Sequence, residues 1–171
     1  MAQFFEKFMP GRILLIVGLA IVIAFQIPTK AALAIEISES ARTVPLNASG
    51  DVITLTEQQL ANGRKKFNGT CSACHLDGIT KPNPDISLAP QTLALALPAR
   101  DNLEGIIDYL KNPTTYDGLG SLEELHPSTA RVDLFPRMKT LTDQDLADIS
   151  GYVLAQPNII GRIWASGKPG R

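Results

Sequence analysis

The chain has 171 residues, with 16 basic against 17 acidic side chains and a formal net charge of −1. That balance offers no basic surface for nucleic acid, and the length suits a single domain behind any leader. Aromatic residues make up only 6% of the chain, so the core is modest and a large apolar cofactor would help to hold it together.

The first 34 residues have the build of a secretory signal: Lys7 and Arg12 at a basic start, an apolar run from Ile13 to Ile27, and a small-residue end at Ala32-Leu33-Ala34. Cleavage after Ala34 is expected. The apolar run falls short of the roughly 20 residues that span a bilayer comfortably, which leaves an uncleaved signal anchor as the minor alternative. Removing Lys7, Arg12, Lys30 and Glu6 moves the balance to 13 basic against 16 acidic over residues 35–171. The mature chain is expected to be one domain of three parts: 35–55 an N-terminal extension, 56–157 a core, and 158–171 a C-terminal tail.

Val44-Pro45-Leu46 and Val52-Ile53-Thr54-Leu55 flank a turn-rich Asn47 to Asp51 and predict a small β-hairpin. Thr56 and Gln59 have capping-box spacing, and Leu60, Gly63 and Phe67 follow at helical intervals, so a helix should lead directly into Cys71. From Leu76 to Ala99, Pro82, Pro84, Pro90 and Pro98 interrupt any period and predict a long wrapped loop. Leu103, Ile106, Ile107 and Leu110 define an amphipathic helix that Asn112-Pro113 stops, and Asp117-Gly118 marks a turn. Thr142 and Asp145 open a last helix with Leu146, Ile149, Tyr152 and Val153 on its apolar stripe, closed at Gln156-Pro157. The Gly- and polar-rich segment from Gly161 to Arg171 is expected to be weakly ordered. Lys65, Lys66, Glu123 and Glu124 read as solvated faces, and the sequons at Asn47 and Asn68 are no more than chance would supply. The fold class is mainly α with a small N-terminal β-hairpin.

Chemistry concentrates at Cys71-Ser72-Ala73-Cys74-His75. Two thiols three positions apart can each add to a vinyl group of one haem, and the adjacent histidine then meets the iron, which makes C-x-x-C-H the attachment motif of haem c. A zinc site would want four ligands, whereas the mature chain offers two cysteines and two histidines, His75 and His126. A redox dithiol would want a βαβ context, which is lacking. A plain disulfide is unneeded in an exported chain of this length. One covalent haem c on Cys71 and Cys74, with His75 on the iron, is therefore expected.

The second axial ligand decides the function, and two candidates exist: His126, 51 positions after His75, and Met138, 63 positions after it. Two imidazoles favour ferric iron and a low potential, whereas a thioether raises it. Spacing alone slightly favours Met138. The bland alternatives are a loop histidine and a pocket-wall methionine.

The segments Gly63 to His75 and Leu146 to Val153 resemble the two crossing helices of the class I cytochrome c fold, with Gly63 and Phe67 facing Ile149 and Tyr152. More narrowly, nearly the whole mature chain resembles the cytochrome c-550 family, the extrinsic lumenal haem subunits of photosystem II. The resemblance rests on Thr43-Val44-Pro45-Leu46-Asn47, Ile53 to Glu57, Gly78-Ile79-Thr80-Lys81, Leu93 to Ala96, Lys111 to Gly118 and His126-Pro127-Ser128. It departs at Ala165 to Arg171, which lacks the tyrosine-rich ending of that family.

The resemblance implies His126 as second axial ligand and Met138 as a pocket residue. It also implies export to the thylakoid lumen, peripheral attachment to the membrane through the photosystem II core and other extrinsic subunits, and a non-enzymatic role in retaining calcium and chloride at the oxygen-evolving manganese-calcium centre. No small-molecule substrate is expected. The rival readings are a diffusible electron carrier with His75 and Met138 as ligands, and a peroxidase or gas sensor, which would need an open iron position.

Overall fold

The hairpin forms where alternating β-formers meet a turn: β1 (Thr43–Pro45) pairs antiparallel with β2 (Val52–Thr54), Val44 opposite Ile53. The computed structural model describes residues 36–166, so the signal-peptide reading of residues 1–34 and the last five residues lie outside it. The helices are α1 (Glu39–Arg42), α2 (Glu57–Thr70), α3 (Ser72–His75), α4 (Pro90–Leu95), α5 (Leu103–Lys111) and α6 (Asp143–Ile160), with 3-10 turns at Leu76–Gly78, Pro136–Thr140 and Gly161–Ile163. Among the described residues no helix is long and apolar enough to cross a membrane.

Both long helices start as expected. Thr56 Oγ1 accepts from Gln59 N at 3.1 Å while Gln59 Oε1 accepts from Thr56 N at 2.9 Å, and Thr142 with Asp145 repeats the arrangement at 3.1 and 3.0 Å. Each such cap stabilises by about 1 kcal/mol.

The two helices cross at Gly63, where a Cβ would fall on the Asp148 carbonyl oxygen and 2.9 Å from Tyr152 Cβ. Only glycine lets the backbones touch there. One turn on, Phe67 packs against Tyr152 with ring centroids 5.3 Å apart. The main core gathers Phe67, Leu93, Ile106, Leu110, Met138, Leu146, Ile149, Val153 and Trp164. The hairpin closes a second, smaller cluster of Val44, Leu55, Leu60 and Ala155, and Leu55 lies over Gly151 of α6.

Polar groups pin the crossing as well. Asn62 Nδ2 donates to Asp145 Oδ1 (3.1 Å) and Asp148 Oδ2 (2.6 Å), and Lys66 Nζ lies 3.0 Å from Asp145 Oδ1. Lys66 is thus an ion-pair partner of a buried carboxylate, not the solvated lysine its sequence neighbourhood suggested. The Thr142 N–H holds Asp145 well below the usual carboxylate range, with Lys66 and Asn62 adding to it and burial opposing. Because the folded value lies below the unfolded one of about 3.9, this group's stabilisation is full at neutral pH and is lost as pH falls from about 4 through the folded value. Asp145→Asn should cost about 2 kcal/mol, the scale of hydrogen bonds to a charged group. Urea melts at pH 7 should show a lower midpoint at unchanged slope, and a shallower acid dependence than the parent.

Three expectations are corrected. The Leu76 to Ala99 stretch contains α4, because Pro90 stands at the first helical position, where its missing N–H costs nothing. Six residues are too few to establish a period. The last helix does not close at Gln156-Pro157 but runs to Ile160, since a proline in the last turn gives up one donor only. Gly161, at φ +61°, ends it.

The segment after Gly161 is not weakly ordered as far as it is described. Trp164 is 6% exposed, donates from Nε1 to the Leu88 carbonyl at 3.0 Å, and packs on Phe67 and Tyr152 at 6.1 Å each. A composition dominated by Gly and polar residues concealed one aromatic anchor.

Candidate haem site

Helix α2 ends at Cys71, whose N–H donates to the Phe67 carbonyl at 2.7 Å. The chain then makes one further turn, with Cys74 N and His75 N both donating to the Cys71 carbonyl at 3.1 and 2.9 Å. That turn brings both thiols and the His75 ring to the wall of one cavity of about 330 Å³. Neither Cys71 nor Cys74 is in a disulfide. Burial, with Cys74 adding, pushes the Cys71 thiol up to about 12, which is the opposite of the reactive thiolate a redox dithiol needs. Among the described residues no three His, Cys, Asp or Glu side chains gather as a metal site.

Opposite His75 stands His126. Helix α5 stops at Asn112-Pro113, and the loop beyond it folds back: Leu122 N donates to the Pro113 carbonyl (2.8 Å), His126 N to the Leu122 carbonyl (2.8 Å) and Thr129 N to the Leu110 carbonyl (3.2 Å). The Lys111 to Gly118 block, one of the stretches that carry the resemblance, spans the end of α5 and the start of this loop. The two rings face each other with centroids 6.1 Å apart. A metal bound to imidazole nitrogen sits about 2 Å away, so one metal between two rings asks for a centroid separation of about 6 Å.

Each imidazole is oriented from behind. His75 Nδ1 lies 3.1 Å from Thr80 Oγ1, which leaves Nε2 for the cavity. His126 Nδ1 is buried without a hydrogen bond, and Tyr109 packs on its ring at 4.8 Å. Burial lowers the His75 pKa. Burial, followed by the charge of His75, lowers that of His126 to about 4, against which the Pro127 carbonyl pulls the other way. Both shifts favour the neutral ring, the form that binds metals.

The donor set thus fits a haem attached through two thiols and ligated by two imidazoles. Met138 also lines the cavity, buried in the main core with Phe67, Leu110 and Ile149. The ring that faces His75 is that of His126. Sequence reading missed Thr80, Tyr109 and Arg100 in the cavity wall. Thr80 lay within a stretch already singled out, whereas Tyr109 and Arg100 carried no local signal.

Comparison with known proteins follows the same lines. The family model of the cytochrome c-550 domain matches residues 35–170. Photosystem II extrinsic protein V of Trichormus variabilis is 46% identical over 157 residues, covering 92% of this chain and 96% of that protein. The protein of the same name from Thermosynechococcus vestitus is 51% identical over 137 residues, covering 80% and 84%. The crystal structure of cytochrome c549 superposes with a TM-score of 0.73 at 45% identity, covering 75% of this chain and 99% of that one.

Proposed function

Because the chain belongs to the cytochrome c-550 family, we propose that it is an extrinsic haem subunit of photosystem II, acting on the lumenal side of the thylakoid membrane. The observation that carries the haem reading is the pair of imidazoles of His75 and His126 facing each other across the cavity that Cys71 and Cys74 also line. In this reading Cys71 and Cys74 form the thioethers, and His75 and His126 are the two axial ligands. The haem supplies a one-electron ferric/ferrous couple at low potential.

The protein's own groups do the rest. Thr80 fixes the His75 ring, Tyr109 backs His126, and Met138 fills the wall beside Phe67 and Ile149. Two axial side chains leave no open position for a substrate, in keeping with a non-enzymatic subunit. The partners are the photosystem II core and its other extrinsic subunits, as the names of the relatives support. A cap that binds only the assembled oxygen-evolving centre stabilises that state by mass action, slowing loss of calcium and chloride without touching the metals. A diffusible carrier ligated by Met138 is not favoured, because the relatives are extrinsic proteins of photosystem II and Met138 is packed into the core.

An optical redox titration of the haem-loaded mature protein tests the ligand set. A clearly negative midpoint is expected, and a high positive one would overturn the histidine pair. Rebinding to photosystem II stripped of its extrinsic subunits tests the docking: oxygen evolution at low calcium should recover, and failure to bind would refute the subunit role.

A further inference from the structure

Arg100 is a buried cation, 8% exposed, in the wall of the same cavity. Its Nη2 donates to the Thr114 carbonyl (3.1 Å), Thr114 Oγ1 (3.1 Å) and the Thr115 carbonyl (2.9 Å), and its guanidinium carbon stands 3.9 Å from the centroid of the Tyr109 ring. A guanidinium carries five N–H donors. The donors on Nε and Nη1 have no partner among the described residues, yet they are not sealed off as His126 Nδ1 and Ser128 Oγ are. Arg100 itself lines the cavity.

Among the described residues no carboxylate forms an ion pair with Arg100. The ion pairs among the described residues involve Lys66, Lys111 and Arg131. The titratable groups around Arg100 are Tyr109 and Tyr116 and, across the cavity wall, His126, none of them a carboxylate. Asp101, next in the chain, accepts from Asn102 Nδ2 at 3.2 Å and forms no ion pair with Arg100. An arginine cannot shed its proton to escape such a site, and a buried charge without a counter-ion is costly.

We propose that Arg100 is the anion-binding group of this cavity and that its fork takes a carboxylate of the haem's acid side chains. This rests on the haem reading given above. The haem bears its two carboxylates on the edge away from the vinyl positions that the thiols use, and an N–H on Nε or Nη1 gives a carboxylate a charge-assisted hydrogen bond while Nη2 stays on the loop. Thr114, Thr115 and the face of Tyr109 hold the fork before the anion arrives, so little freedom is lost on pairing. The same residue thereby ties the carboxylate edge of the haem to the loop that carries His126.

The test uses holoprotein carrying haem with ¹³C-labelled carboxylates, followed by infrared spectroscopy as pH is lowered. In the parent, one labelled carboxylate should stay ionised well below the ordinary range of about 4. In Arg100→Gln it should bind its proton at least tenfold more tightly, and Arg100→Lys should restore part of the difference. Both carboxylates titrating together at an ordinary value in the parent would overturn the proposal, and that spectrum decides even if the glutamine variant fails to accumulate. Equally, unchanged titration in Arg100→Gln, with only a lower melting temperature, would reduce Arg100 to a clamp on Thr114 and Thr115. Absence of covalent haem after denaturation would instead refute the haem reading itself, so the two failures are told apart.

Discussion

Replacing His126 with alanine should turn a reduced holoprotein that ignores carbon monoxide into one that binds it stoichiometrically. The two rings face each other at 6.1 Å. Removing one ring leaves His75 alone on the iron and a cavity position that a small ligand can enter. The His126 Nδ1 is buried and unpaired, so the ring is held by Tyr109 packing and by its loop, and its loss should leave the fold intact. His126→Met should keep the site closed and raise the midpoint potential by about 0.2 V, a fraction of the ≈ 0.8 V span that axial ligands control. Optical titration and carbon monoxide difference spectra read both. If Met138 were the ligand, His126→Ala would leave carbon monoxide excluded and Met138→Ala would admit it, which would reverse the assignment.

Legibility followed the range of the interaction that carried each feature. The capping residues Thr56 with Gln59 and Thr142 with Asp145, the hairpin around Asn47 to Asp51 and the cysteine motif act within a few residues, and all were readable in chain order. Gly63 was legible as a helix-crossing glycine only through resemblance, because its role is set by Asp148 and Tyr152, far along the chain. His126 illustrates the same limit. Spacing alone leaned to Met138, and what brings His126 opposite His75 is a loop folded back on α5 by backbone hydrogen bonds to Leu110 and Pro113. Arg100 sits between a helix and a loop with nothing local to mark it as a cavity cation. Pro157 and the segment that holds Trp164 were misread for one shared reason: an average property, of a residue type or of a segment's composition, was taken as decisive, when position within the last turn and a distant aromatic partner decided the outcome.

Trp164→Ala should cost about 4 kcal/mol, in the range for removing a large buried aromatic. The ring is enclosed by Phe67, Tyr152 and Gly78, and the Leu88 carbonyl loses its donor. The urea midpoint should fall at unchanged slope. Trp164→Phe, which keeps most of the packing but leaves that carbonyl unpaired, should cost about 1–2 kcal/mol. A loss below about 1 kcal/mol on going to alanine would mean that the C-terminal segment is as loosely held as its composition suggests. The stronger check is coupling to Gly78, three residues after the histidine of the attachment motif. Gly78 has φ +83°, and a Cβ there would lie 2.7 Å from Trp164 Cε2, so Gly78→Ala pays both a backbone and a steric cost. In the Trp164→Ala background the clash with the ring vanishes, leaving the backbone part and a tight 3.1 Å approach to Ala165 N. The double-mutant cycle should therefore return a coupling of about 1 kcal/mol or more, as required if the C-terminal tryptophan braces the loop that follows His75.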